Sequence, residues 1–202
     1  MSETGAIKFT CEHEVMELAP FAGFPELNAC RRKLRQRGLI GVGTNGIAFG
    51  NLSVREEEAN RFYVTGSGTG GLPELGLANY AKVTAFDFTR NWLRCEGRTI
   101  ASAESLTHAA VYQAEAEVKA IIHCHSAKLW KRLLGVAPTT GVEVEYGTPE
   151  MADEVLRLFA EPDVRKHQLF VMAGHADGLI AFGRTLAEAL AILTKPTDLS
   201  TC

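Results

Sequence analysis

The sequence has no long apolar run: nothing among its 202 residues approaches the length needed to span a bilayer. It also lacks a positive field, since a formal net charge of −3 offers nothing to draw a nucleic-acid backbone. The densest basic run, Arg31 to Arg37, falls within an amphipathic helix pattern and reads as a solvated helix face. Cysteines are few and unpaired in pattern: Cys11, Cys30, Cys95, Cys124 and Cys202 are odd in number, scattered, and form no C-x-x-C pair. Reduced thiols in a cytoplasm fit that usage. Met1 to Glu14 is polar and acidic, without the charged cap and apolar core of an export signal. Repeats and low-complexity tracts are absent as well. The expectation is a cytoplasmic protein with no nucleic-acid or membrane partner.

What is present is material for one folded unit. Hydrophobic residues make up 46% of the chain and charged residues 22%, the balance of an ordinary globular domain with ample apolar material for a core. Apolar positions recur at helical spacing from Pro25 to Arg37, and Gly38 supplies a stop. Ile47 to Arg55 and Arg61 to Thr65 read as strands joined by the polar turn Glu56 to Asn60. After the glycine-rich stretch Gly66 to Gly71, Ala81 to Asp87 and Trp92 to Cys95 read as a second hairpin. Ser102 is placed to cap a helix from Ala103 to Ala114. Val118 to His125 is short and rich in β-branched residues, which suits a buried strand, and Ser126 to Leu134 follows as a helix. Thr148-Pro149-Glu150 opens a helix to about Phe159; Gln168 to Ala173 and Gly178 to Phe182 are strands, and Thr185 to Leu193 is a closing helix. The tally is roughly seven strands and five helices, mostly hairpin-linked. The fold class is therefore α/β, a layered α/β/α arrangement around a mixed, predominantly antiparallel sheet.

The chemistry-bearing residues gather around one strand end. Side chains two apart on a strand share a face, so His123 and His125 point together while Cys124 points away as a packed thiol. That geometry suits two ligands on one metal ion, and a catalytic site of this type uses three protein ligands. His175, in the glycine-flanked loop M-A-G-H-A-D-G, is the leading third ligand, and Asp177 a weaker competitor. The competing reading makes H-C-H the polar end of a buried strand, each ring satisfied by backbone carbonyls. Glu104 and His108 lie one turn apart on a helix face. A carboxylate beside a metal acts as a general base, but Glu104 also fits an exposed acid that favours the helix dipole, and His108 a packed side chain. G-S-G-T-G-G from Gly66 superficially resembles a dinucleotide fingerprint; Pro73 and the missing amphipathic helix leave a plain loop or an anion-binding nest.

Taken together, G-N-L-S-V-R at Gly50, V-T-G-S-G at Val64, A-S-A-E-S at Ala101, I-I-H-C-H-S at Ile121 and G-H-A-D-G at Gly174 resemble the class II aldolase/adducin family, over about Gly38 to Leu193. The resemblance implies a single domain over the chain, with a flexible N-terminal segment and a short C-terminal tail. It implies a divalent metal, usually zinc, with manganese, cobalt or iron(II) as alternatives, held by His123, His125 and His175, and an acid/base role for Glu104. It implies a metal-dependent lyase that makes or breaks a carbon–carbon bond in a small hydroxy-carbonyl or sugar-derived substrate through a metal-stabilised enediolate. In phosphate-using members the anion is held by residues matching Asn51, Ser67, Gly68 and Ser102. Assembly as a homotetramer is a further implication.

The chain departs from the family pattern at three places. Ala103 stands where similar sugar-phosphate aldolases carry a second serine, which removes one donor to phosphate. Ala176 and Asp177 separate His175 from its glycine, whereas the family more often has them adjacent. Similar aldolases also continue into a tail that completes the site, so the proton donor to the leaving fragment is unassigned. Epimerase or dehydratase chemistry uses the same apparatus, and an adducin-like interaction module is the non-catalytic alternative.

Overall fold

The computed structural model describes residues 6–57 and 60–194. Strand β1 (Thr10–Val15) comes first, although the N-terminal segment reads from sequence as flexible. Helix α1 (Phe24–Gln36) follows, with Pro25 in its first turn and Leu27, Cys30 and Leu34 buried at helical spacing. Gly38, at φ 67°, ends it by donating its N–H to the Arg35 carbonyl. The expected strand from Ile47 is broken in two. The short strands β2 (Gly41–Val42) and β3 (Ala48–Phe49) pair with each other, and β4 (Asn51–Arg55) joins the main sheet. Gly50 makes the break: its φ of 78° excludes most side chains, and a Cβ there would sit 2.3 Å from Ile40 Cγ2.

Strand β5 (Phe62–Thr65) pairs with β4 across a turn of which residues 58 and 59 lie outside the described residues. Strands β6 (Tyr80–Asp87) and β7 (Trp92–Gly97) form the second hairpin. Helix α2 (Ser105–Ala114) starts later than expected. Ser102 is not its cap: the Ser102 carbonyl accepts the Ser105 N–H, and Glu104 occupies the cap position without a side-chain cap bond. Strand β8 (Ala120–His125) and helix α3 (Ala127–Leu133) agree with the sequence reading, with the Ser126 hydroxyl accepting the Leu129 N–H. Thr148 caps α4 (Pro149–Ala160) by accepting the Met151 N–H. A short α5 (Asp163–His167) leads to β9 (Leu169–Val171), β10 (Gly178–Gly183) and α6 (Leu186–Thr194).

The main sheet has eight strands in the order β1-β7-β6-β5-β4-β8-β10-β9. Among the described strand pairs of this sheet only β1–β7 is parallel. One face packs Ile121, Ile180 and Val64 with α2 and α4; the other packs Ile122, Cys124 and Leu52 with α1 and α6. This is the expected layered α/β/α architecture, with the sheet in the middle and a core on each side. For the site, the consequence lies in the insertion of β8 between β4 and β10. Asn51 stands opposite His123, and His125 stands opposite Gly178.

One basic residue departs from its reading as part of a solvated face. Arg31 is only 2% exposed, because its guanidinium donates to the carbonyls of Thr69, Gly70 and Leu72. Arg35 donates to Gly70 and Leu72 from the same helix face. Five N–H donors in a planar fork satisfy several converging carbonyls at once, so a loop rather than a carboxylate takes the buried charge.

Candidate metal centre

Alternation along β8 places His123 and His125 on the α2 side and Cys124 on the other, where burial pushes its thiol up to about 12. His175 arrives from the turn between β9 and β10. Its N–H donates to the Met172 carbonyl, and its own carbonyl accepts the Gly178 N–H. Asp177 takes the left-handed conformation, φ 66°, which closes this turn over the two residues that separate His175 from Gly178. Gly178 leaves room for the ring: a Cβ there would approach His175 Cδ2 to 2.6 Å. The result is a trio whose ring centroids are 4.7 to 5.4 Å apart and whose candidate ligand nitrogens lie within 4.8 Å of one another.

Burial keeps these rings neutral. It lowers His175 to about 3 and His125 to about 4, and it holds His123 well below the usual imidazole value, reinforced by its histidine neighbours. A neutral imidazole is the form that ligates metal. Nε2 of His123 is buried with no hydrogen-bond partner, so a lone pair there has nothing but a cation to meet. The residues therefore fit a divalent ion: three nitrogen donors, one of them otherwise unsatisfied, on the wall of an open cavity of about 640 Å³.

Glu104 is not the exposed helix-end acid of the competing sequence reading. It is 3% exposed, and burial pushes its carboxyl up to about 7. The Thr107 hydroxyl donates to Oε2 at 2.8 Å, which leaves Oε1 without a hydrogen-bond partner, 3.8 Å from His175 Nε2. Because burial keeps His175 neutral, this approach is not an ion pair. His108 is a packed residue, with Nδ1 2.7 Å from the Ser53 hydroxyl, which in turn meets the Tyr112 hydroxyl at 2.7 Å.

The cavity brings together every residue that the sequence assigns to metal, substrate or proton transfer. Asn51, Ser67, Gly68 and Ser102 line it with Glu104 and the three histidines. Asp177 lines it too, though it is outside the three-histidine cluster. The glycine-rich stretch is a loop with a single helical turn at Thr69–Gly71, and the Ser67 N–H is already committed to the Ile100 carbonyl. Two aromatic residues were missed by sequence reasoning. The Tyr146 ring lies 4.6 Å from that of His175, and Phe49 lies 5.3 Å from His125. Tyr146 precedes the α4 cap in irregular chain, where no periodicity marks it. Phe49 carries the only available signal, its place beside the G-N-L-S-V-R motif.

The model of the class II aldolase and adducin N-terminal domain matches residues 26–195. The chain belongs to the class II aldolase/adducin family. The matched region takes in α1, which the motif-based resemblance left out. Among solved structures, an L-fuculose 1-phosphate aldolase is 22% identical, with a TM-score of 0.66 over 88% of this chain and 82% of its own. YgbL from Klebsiella pneumoniae, provisionally described as an aldolase/epimerase/decarboxylase, is 23% identical, with a TM-score of 0.63 over 84% and 82%. A sugar-phosphate aldolase from Thermotoga maritima is 16% identical, with a TM-score of 0.60 over 83% and 87%. At these identities the likeness is one of fold. No curated protein matches the sequence significantly. No described helix is long and apolar enough to cross a membrane.

Proposed function

We propose that this class II aldolase/adducin family member is a metal-dependent lyase of the aldolase type, acting on a small hydroxy-carbonyl or sugar-derived substrate. The observation that carries the reading is the convergence of three neutral imidazoles, two buried and one half-buried, on a cavity wall beside a carboxyl poised near pH 7. His123, His125 and His175 hold a divalent ion, with zinc the first choice and manganese, cobalt or iron(II) the alternatives. Bound there, the ion supplies Lewis-acid polarisation of a substrate carbonyl.

The remaining work falls to the chain. Glu104 removes a proton from the carbon beside the carbonyl in the bond-forming direction and returns it in the cleaving direction. A pKa near the working pH lets one group do both. Thr107 holds Oε2, so Oε1 is the atom that moves the proton. Tyr146 and Phe49 limit water around the histidines. Ser67, Gly68 and Ser102 hold the polar end of the substrate, with Ala103 supplying no hydroxyl beside them. Homotetrameric assembly and a cytoplasmic setting, in which the four described thiols stay free, complete the proposal.

Two measurements test it. Purified protein supplemented with zinc is expected to hold about one ion per chain by elemental analysis, as a single open site requires; finding none sinks the reading. In a screen of aldol donors and acceptors with metal-loaded protein, Glu104→Gln should keep the ion yet lose roughly 10²- to 10⁴-fold in turnover, the usual worth of a positioned acid/base. Unchanged turnover would remove Glu104 from the mechanism.

A further inference from the structure

We propose that Asn51 is a positioning residue for His123: its side-chain oxygen accepts the Nδ1 proton of the ring and thereby fixes the tautomer that presents a bare Nε2. The inference rests on the three-histidine reading above and assigns to Asn51 a task other than gripping substrate.

The geometry comes from strand register. Asn51 on β4 stands directly opposite His123 on β8, and both side chains are buried. One terminal atom of the Asn51 amide lies 3.1 Å from His123 Nδ1. A neutral imidazole carries one ring proton, so the two ends of the contact are linked. If the amide NH₂ donates to Nδ1, the proton must sit on Nε2, where it finds no acceptor and blocks ligation. That arrangement also leaves the amide oxygen buried without a donor. Asn51 Oδ1 and His123 Nε2 are the two partnerless atoms of the pair: with the amide nitrogen facing Nδ1, the first is an acceptor without a donor and the second a proton without an acceptor.

A half-turn of the amide about Cβ–Cγ exchanges oxygen and nitrogen at almost unchanged positions. Oδ1 then accepts the Nδ1 proton, and Nε2 keeps its lone pair. One rotation gives the stranded oxygen a donor and frees a ligand nitrogen, as an outer-shell acceptor does for a metal-bound histidine. The Ser53 hydroxyl beside His108 imposes no such choice, because a hydroxyl rotates to donate or to accept.

The test uses Zn²⁺ alone, without substrate, titrated into metal-free protein against a chromogenic chelator. Asn51→Ala should weaken zinc binding by about 10- to 100-fold, the usual cost of losing such a partner. Asn51→Asp, which still accepts the proton, should stay within a few-fold of wild type. Zinc affinity unchanged in Asn51→Ala overturns the inference alone, as would a loss in Asn51→Asp equal to that in Asn51→Ala. Failure of the wild-type chain to bind zinc overturns the three-histidine reading and this inference with it. Long-range ¹H–¹⁵N spectra of the unmutated, zinc-free protein read the tautomer directly. Protonation of His123 at Nδ1 is expected, and protonation at Nε2 refutes the role whatever the variants do.

Discussion

Two buried histidines lean against the same face of β4, His108 on Ser53 and His123 on Asn51. In each, Nδ1 meets a strand side chain and Nε2 has no partner. Burial lowers both, His108 to about 3 and His123 well below the ordinary value. By every single-residue measure they are the same, yet only His123 belongs to a cluster. His108 is enclosed among apolar residues of α2 and the sheet, whereas His123 faces a cavity onto which two further imidazoles converge. A buried ring with an idle nitrogen is therefore not a site in itself. Convergence of several donors on open space makes one, because a cation needs three or four ligands and a way in.

The widest separation between the two should come from truncating each ring. His123→Ala is expected to abolish zinc retention, from about one ion per chain to near none, while His108→Ala keeps it; elemental analysis after gel filtration decides. Equal metal loss in both would erase the distinction. Removing the ion comes next. Because zinc binds the folded chain, saturation to about 100 times its dissociation constant stabilises by about 2.7 kcal/mol, so a chelator should lower Tm by roughly 5–10 °C. In the His123→Ala protein the chelator should change nothing.

Stability without metal should invert the ranking. His108→Ala removes a packed ring from the Ser53–Tyr112 contact and should cost roughly 1–3 kcal/mol by urea unfolding of zinc-free protein. The last comparison is the slope with pH. His108 titrates near 6.5 when unfolded and near 3 when folded, so the unfolded chain takes up its proton first as pH falls. Its contribution is complete above about pH 6.5 and is lost progressively towards pH 3. His108→Gln should flatten the zinc-free stability curve over that window by about 1.4 kcal/mol per pH unit.

Local pattern made some elements legible and left others unmarked. Helix α1, strand β8 and helix α4 follow from periodicity, β-branching and the Thr148-Pro149 start, all of which act within a few residues. Strand β1 carries the polar run T-C-E-H-E-V and owes its existence to β7, a partner far away in sequence. Arg31 belongs to a basic run that reads as solvated; only the loop carbonyls packed over it explain its burial. Ser102 has the chemistry of a cap, but the chain turns once more before α2 begins. Glu104 is ambiguous in sequence because a carboxylate near a helix start suits the dipole in water as well as a pocket.

By itself the sequence determined that His123 and His125 share a face, since alternation is a property of a single strand. It also determined the family, through motifs whose order and residue types are local. Only the tertiary structure decided that Asn51, Glu104 and His175 meet that pair, and that Glu104 loses its water. Register across β4, β8 and β10 and the packing of α2 on the sheet are long-range contacts, and both the shifted carboxyl and the idle ring nitrogen arise from the desolvation those contacts impose.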